Sequence, residues 1–119
     1  MIIPSCATWN QTGITVAGHQ NGSAGSDLAS LSTPVDIDID NNDTLFIVDA
    51  SNYRIVKCYT NATSGILVGG NGSSGSGSNQ LNAPKGVAVD QMGNVFVTDT
   101  SNYRIQKFSP NSLVAIFSF

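Results

Sequence analysis

The strongest constraint on this chain is that it is written twice. The string SNYRI stands at 51–55 and again at 101–105, a shift of 50 residues. The same shift lays Pro34 on Pro84, Asp40 on Asp90, Phe46 on Phe96, Asp49 on Asp99 and Lys57 on Lys107, and it lays the stretch NGSAGS at 21–26 on NGSSGS at 71–76. A unit that recurs in tandem at this period is one supersecondary element that buries its apolar face only against a neighbour. The start repeats part of the unit too: GITVAG at 13–18 matches GILVGG at 65–70, and Cys6 falls on Cys58 with a shift of 52. The N-terminal piece therefore reads as the tail of a preceding unit.

Inside each unit the periodicity is that of strands. PVDIDID and KGVAVD alternate, LFIVD and NVFVTD are β-branched or aromatic runs, RIVKCY and RIQKFS alternate again, and GILVGG closes the first set. NND and QMGN make tight turns between the first two strands, DASN and DTSN between the next two. No window has helical spacing, and 12 glycines favour turns over helices. The expected fold is all-β, built of four-stranded antiparallel meanders, the sequence form of β-propeller blades. Residues 1–30 read as the end of a preceding blade plus a loop, 31–70 as the first full blade, and 71–119 as a loop plus the second full blade. Two N-terminal strands, four in the first blade and four in the second, with LVAIFSF as the last, make about two and a half blades where closed rings need about four to eight. The ring is incomplete, and the apolar faces of the end blades are expected to be open.

At this point the pattern becomes specific. The stretch LNAPKGVAVDQMGNVFVTDTSNYRIQKFS resembles an NHL repeat at Pro84, Gly86, Asp90, Gly93, Asn94, Asp99, Asn102, Arg104 and Ile105. The first copy departs from it, with Asp36 in place of the glycine and Asp43-Thr44 in place of Gly-Asn. The resemblance implies a propeller module that presents its loops to protein or other ligands without doing chemistry. Two alternatives come with it: the substrate-recognition part of a ubiquitin ligase of the tripartite-motif kind, or a metal-dependent enzyme with its site in the propeller channel.

The repeated charged residues read as scaffold. Asp49 ends the second strand and Arg54 opens the third, and Asp99 and Arg104 do the same one unit later. A turn between them brings each carboxylate within reach of the guanidinium fork, which can also hold turn carbonyls. A pair that recurs in every unit suits a structural clamp better than a catalytic site. Tyr53 and Tyr103 are read as packing or hydrogen-bonding residues of the same turns.

DIDIDNND at 36–43 is the one acidic stretch, and from Asp38 it nearly fits a calcium loop, with Asp40, Asn42 and Asp49 at ligand spacing. The second copy shows Gly86 and Ala88 at these positions, so the stretch is a first strand and its turn. Asp36 and Asp38 then share one face of that strand, where carboxylates must be solvated, paired or on a cation. They are expected in the wet channel, on a calcium ion, or on an uncovered blade face, and are the metal-site candidates.

His19 is the only histidine, and one histidine cannot build a zinc site of propeller type. The sequence shows no serine and histidine pairing with an acid, no G-x-S-x-G and no phosphate loop; NGSSGSGS lacks G-K-[ST] and reads as a flexible connection. Cys6 and Cys58 lie at equivalent places in adjacent blades, too far apart for a disulfide when sheets stack about 10 Å apart. Both are expected to be small buried hydrophobes.

Composition narrows the partners. With five Lys and Arg against eight Asp and Glu, net charge −3, the chain has little to set against phosphate, so nucleic acid is disfavoured, and no apolar run is long enough to span a membrane. A protein ligand, further blades of the same ring, or a second copy of the chain are the expected partners. Five N-x-[ST] sequons at Asn10, Asn21, Asn42, Asn61 and Asn71 all fall in turns or loops and lean towards an extracellular setting.

Overall fold

The computed structural model describes residues 12–115 and 117–118. The first unit forms β1 (Pro34–Ile39), β2 (Leu45–Asp49), β3 (Arg54–Cys58) and β4 (Ile66–Gly70), and the second forms β5 (Pro84–Val89), β6 (Val95–Asp99), β7 (Arg104–Phe108) and β8 (Phe117–Ser118). Each set is one antiparallel meander in chain order, so the described residues form two propeller-type blades that do not close a ring.

Local chemistry sets the turns. After β1, Asp40 Oδ1 accepts the amides of Asn42 at 2.8 Å and Thr44 at 2.9 Å, and after β5, Asp90 Oδ1 accepts those of Met92 and Asn94, both at 2.9 Å. These side chains imitate a backbone turn and reverse the strand in four residues. After β2 and β6 the chain makes a short 3-10 turn that ends at Tyr53 and Tyr103 in the left-handed region, φ 51° and 54°. Of the two tyrosines expected to pack or hydrogen-bond in these turns, Tyr103 is 94% exposed and does not pack there. The backbone of this residue shapes the turn, and its ring faces water.

The core lies between the two sheets. Phe46, Val48, Ile55 and Val68 of the first blade meet Leu81, Val95, Val97 and Phe108 of the second in one buried cluster, with Val87 and Val89 packed against it. Strand alternation assigns the faces: Asp36 and Asp38 are opposite Val48 and Phe46 in the β1–β2 register and so look towards the second blade, while Ile37 and Ile39 look away. The Phe108 ring lies against Gly69 of β4. A Cβ at Gly69 would come within 2.7–2.8 Å of the ring, so only glycine lets the blades approach this far.

The opposite face of the first blade is covered only in part. Ile47 and Val56 are buried, whereas Val35, Ile37 and Ile39 of β1 are 48%, 56% and 54% exposed. Their counterparts in the second blade, Val87 and Val89, are packed against the core, because there another blade covers them. The apolar end face expected from the sequence is present on this side.

Two expectations are corrected. GITVAG forms no strand: Thr15–Gly18 lie against the first blade beside Val56 and Cys58, but among the described residues they have no ladder partner, and an extended segment without one is not a strand. The described residues form eight strands, and the other strand expected in the N-terminal piece lies outside them. Among the described residues of LVAIFSF, Phe117 and Ser118 pair with Lys107 and Gln106. Cys6 and the sequon at Asn10 lie outside the described residues.

Candidate functional site

The best-organised chemistry of the chain is a clamp at one end of each blade. Asp49 is fully buried at the end of β2; its Oδ1 accepts the Ser32 amide at 2.6 Å, and its Oδ2 accepts Asn52 Nδ2 at 2.9 Å and Arg54 Nε at 2.8 Å. Arg54 turns its other nitrogens to the preceding loop, donating through Nη1 to Ser26 O at 2.8 Å and through Nη2 to Asp27 O at 2.7 Å and Ser30 O at 3.0 Å. All three guanidinium nitrogens donate, in four hydrogen bonds. A buried ion pair is tolerable in this form because hydrogen bonds replace the lost water on both partners.

The second blade repeats the clamp atom for atom. Asp99 accepts the Asn82 amide at 2.7 Å, Asn102 Nδ2 at 2.9 Å and Arg104 Nε at 2.7 Å, and Arg104 donates to the carbonyls of Ser76, Gly77 and Gln80. One difference is Gln106, buried where the first blade has Val56; with its amide oxygen towards Arg104 it accepts Nη2 at 2.8 Å. The sequence reading of Asp49, Arg54, Asp99 and Arg104 as one repeated arrangement matches this geometry. It misses the extent of the clamp: Asn52 and Asn102 belong to it, each also donating to a loop carbonyl, Gly25 O or Gly75 O, at 2.8 Å. The Asn in both SNYRI copies was the available signal.

The clamp also corrects the reading of the Gly/Ser loops. NGSSGSGS is not a free connection, since three carbonyls in 76–80 are fixed by Arg104 and Gly75 N donates to Leu81 O. Small residues are required here because a guanidinium must meet bare backbone. A Cβ at Gly75 would fall on the Gln80 side chain.

Asp36 and Asp38 reach across to the other blade. Asp36 Oδ2 accepts the amide of Val87 at 3.0 Å and Asp38 Oδ2 that of Val89 at 2.8 Å, while Asp38 Oδ1 accepts the amide of Ile39 at 2.8 Å. β5 is an edge strand of its sheet, and the amides on its open edge have no sheet partner of their own. The two carboxylates act as that partner, a carboxylate–amide brace between the first strands of neighbouring blades. The uncovered-face reading is thereby corrected, because the open face of β1 carries Ile37 and Ile39 and the acids point the other way. Among the described residues no three His, Cys, Asp or Glu side chains gather at one point.

His19 has partners that the sequence did not suggest. The Ser30 hydroxyl is within 2.7 Å of both His19 Nε2 and Asp27 Oδ1, so a serine, a histidine and an acid do meet. Their order is not that of a nucleophilic triad, in which the histidine stands between acid and serine. Here the serine stands in the middle, is buried, and donates to Asp27. The Ser30 hydroxyl, with the Ala29 amide, holds the Asp27 carboxyl below its ordinary range, and such an acid draws no proton from the serine. The cluster fastens the loop that Arg54 also holds. Cys58 is half-buried and free, and burial raises its thiol pKa.

Stacked four-stranded meanders, each closed by an Asp–Asn–Arg clamp on its leading loop, define a propeller-type repeat module. The NHL repeat model matches residues 81–108, from the end of the clamped loop through β7, so this part of the second blade is similar to an NHL repeat. No curated protein matches the chain.

Proposed function

We propose that this chain is a non-catalytic interaction module whose blades hold loops and clefts for a protein ligand. One observation carries the reading: the charged groups best placed for chemistry are consumed by the scaffold. Asp49, Arg54, Asp99 and Arg104 are engaged by backbone, by the neighbouring Asn52 and Asn102 side chains and by each other, and Asp36 and Asp38 hold the neighbouring strand. An NHL repeat supports the same reading. The test is to identify a partner protein by crosslinking to the immobilised chain and to titrate the purified partner against it by calorimetry. Saturable binding is expected, and a chain that turns over a substrate without binding any protein would overturn the reading.

The setting we propose is extracellular. Asn21, Asn42, Asn61 and Asn71 are all exposed, and each heads a sequon, which supports glycan attachment in a secreting eukaryotic host. Secreted material should lose mass on amidase treatment. An unchanged mass would remove this part of the proposal.

A further inference from the structure

The sheets meet at Phe108 and Gly69 and part beside that contact, where Val68 and Ser109 help to line a cleft of about 370 Å³. Phe46 and Val68 of the first blade and Val95 of the second line its apolar floor, and all three are buried. Tyr59, 51% exposed, and Ile66, 43% exposed, stand at its lip. Lys57 lines the same cleft, with Nζ 5.4 Å from the Tyr59 ring centroid.

Lys57 brings to this cleft a charge that no ion pair uses: among the described residues both arginines are in ion pairs and Lys57, Lys85 and Lys107 are in none, and of these lysines it is Lys57 that lines the cleft. Asp40 also lines the cleft, but its Oδ1 is committed to the amides of Asn42 and Thr44. An ammonium group beside an apolar floor, held over an aromatic face, favours a ligand that brings an anion and an aliphatic group together. The size of the cleft suits two or three side chains, at the lower end of ligand sites.

We propose that this inter-blade cleft binds an extended peptide segment in which an Asp or Glu stands next to an aliphatic residue, the carboxylate meeting Lys57 and the aliphatic side chain entering between Phe46, Val68 and Val95. The inference rests on the reading of the chain as a protein-interaction module and names the chemistry of its partner. Lys107, the counterpart of Lys57, lies 5.6 Å from the Phe96 ring centroid on the outer face of the second blade. There, among the described residues, no neighbouring blade completes a cleft.

The experiment pans a display library of random octapeptides against the immobilised 119-residue chain. Synthetic copies of the enriched sequences are then titrated with the wild-type chain and with Lys57→Gln, Ile66→Ser and Lys85→Gln. Enrichment of Asp or Glu beside Leu, Ile or Val is expected, with binding roughly tenfold weaker for Lys57→Gln, weaker for Ile66→Ser, and unchanged for Lys85→Gln. Unchanged thermal unfolding of Lys57→Gln separates lost binding from lost folding. Peptides that bind equally well without Lys57 would overturn the cleft and leave the interaction module standing. A failure to enrich any acidic peptide, or displacement by free glutamate as effective as by the peptide, would overturn the proposal itself. A protein partner found by crosslinking would still support the broader reading in either case.

Discussion

Asp38 of the first blade accepts the amide of Val89 in the second at 2.8 Å, and Asp36 does the same for Val87 at 3.0 Å, so two acids two residues apart hold two amides two residues apart. The spacing is the strand period, which lets one strand present both carboxylates to one edge of the next. Removing them strands the β5 amides at a partly buried edge. Asp36→Ala and Asp38→Ala should each lower stability by about 1–2 kcal/mol, read from chemical unfolding, and hydrogen exchange at Val87 and Val89 should speed up. Exchange that stays as slow as in the wild type would show that the brace does not protect those amides.

The clamps predict a larger effect. Asp49 is fully buried with Arg54 beside it, so Asp49→Ala leaves a guanidinium unpaired and should cost about 3–5 kcal/mol. Arg104 is more exposed at its side chain than Arg54, 18% against 8%, and Arg104→Ala should cost less than Arg54→Ala. Equal losses would place the weight of the clamp in the loop carbonyls rather than in the ion pair.

Gly69 and Phe108 form a size-matched contact. Gly69→Ala pushes a methyl group into the Phe108 ring and should destabilise by about 1–3 kcal/mol. Phe108→Leu in the Gly69→Ala background should recover part of the loss, because the smaller side chain frees the space. An additive double variant would mean that the two sites do not share their strain.

Acid should weaken the fold through its turns. The Asn94 side chain, with the amides of Asn94 and Met92, holds the Asp90 carboxyl below its ordinary 3.8, and Ser30 does so for Asp27. A depressed folded value means that the unfolded chain binds protons first, so this stabilisation is whole above about pH 5 and is lost as pH falls through 3.8 and on through the folded values. The urea midpoint should fall on that limb, and Asp90→Asn should make the fall shallower. A midpoint indifferent to pH between 5 and 2 contradicts the assignment.

Much of the architecture was legible in the sequence because it is local or periodic. The 50-residue shift, the alternation within 34–39 and 84–89, and the Asp-to-Arg spacing across each SNYRI turn fix strands, turns and clamps through chain-neighbour geometry, and the folded strands lie where the alternation puts them. The segment 13–18 misled for the same reason: its composition suits a strand, but a strand also needs a partner, and composition does not provide one. What tertiary structure alone decided are the contacts across the blade junction, where residues 39 to 51 apart in sequence meet: Phe108 on Gly69, and Asp36 and Asp38 on the Val87 and Val89 amides. The sequence shows two acids on one strand face, but what that face meets depends on how closely the next sheet packs. That approach is set by the glycine at 69 and the ring that covers it, and it leaves the rim around Lys57 open.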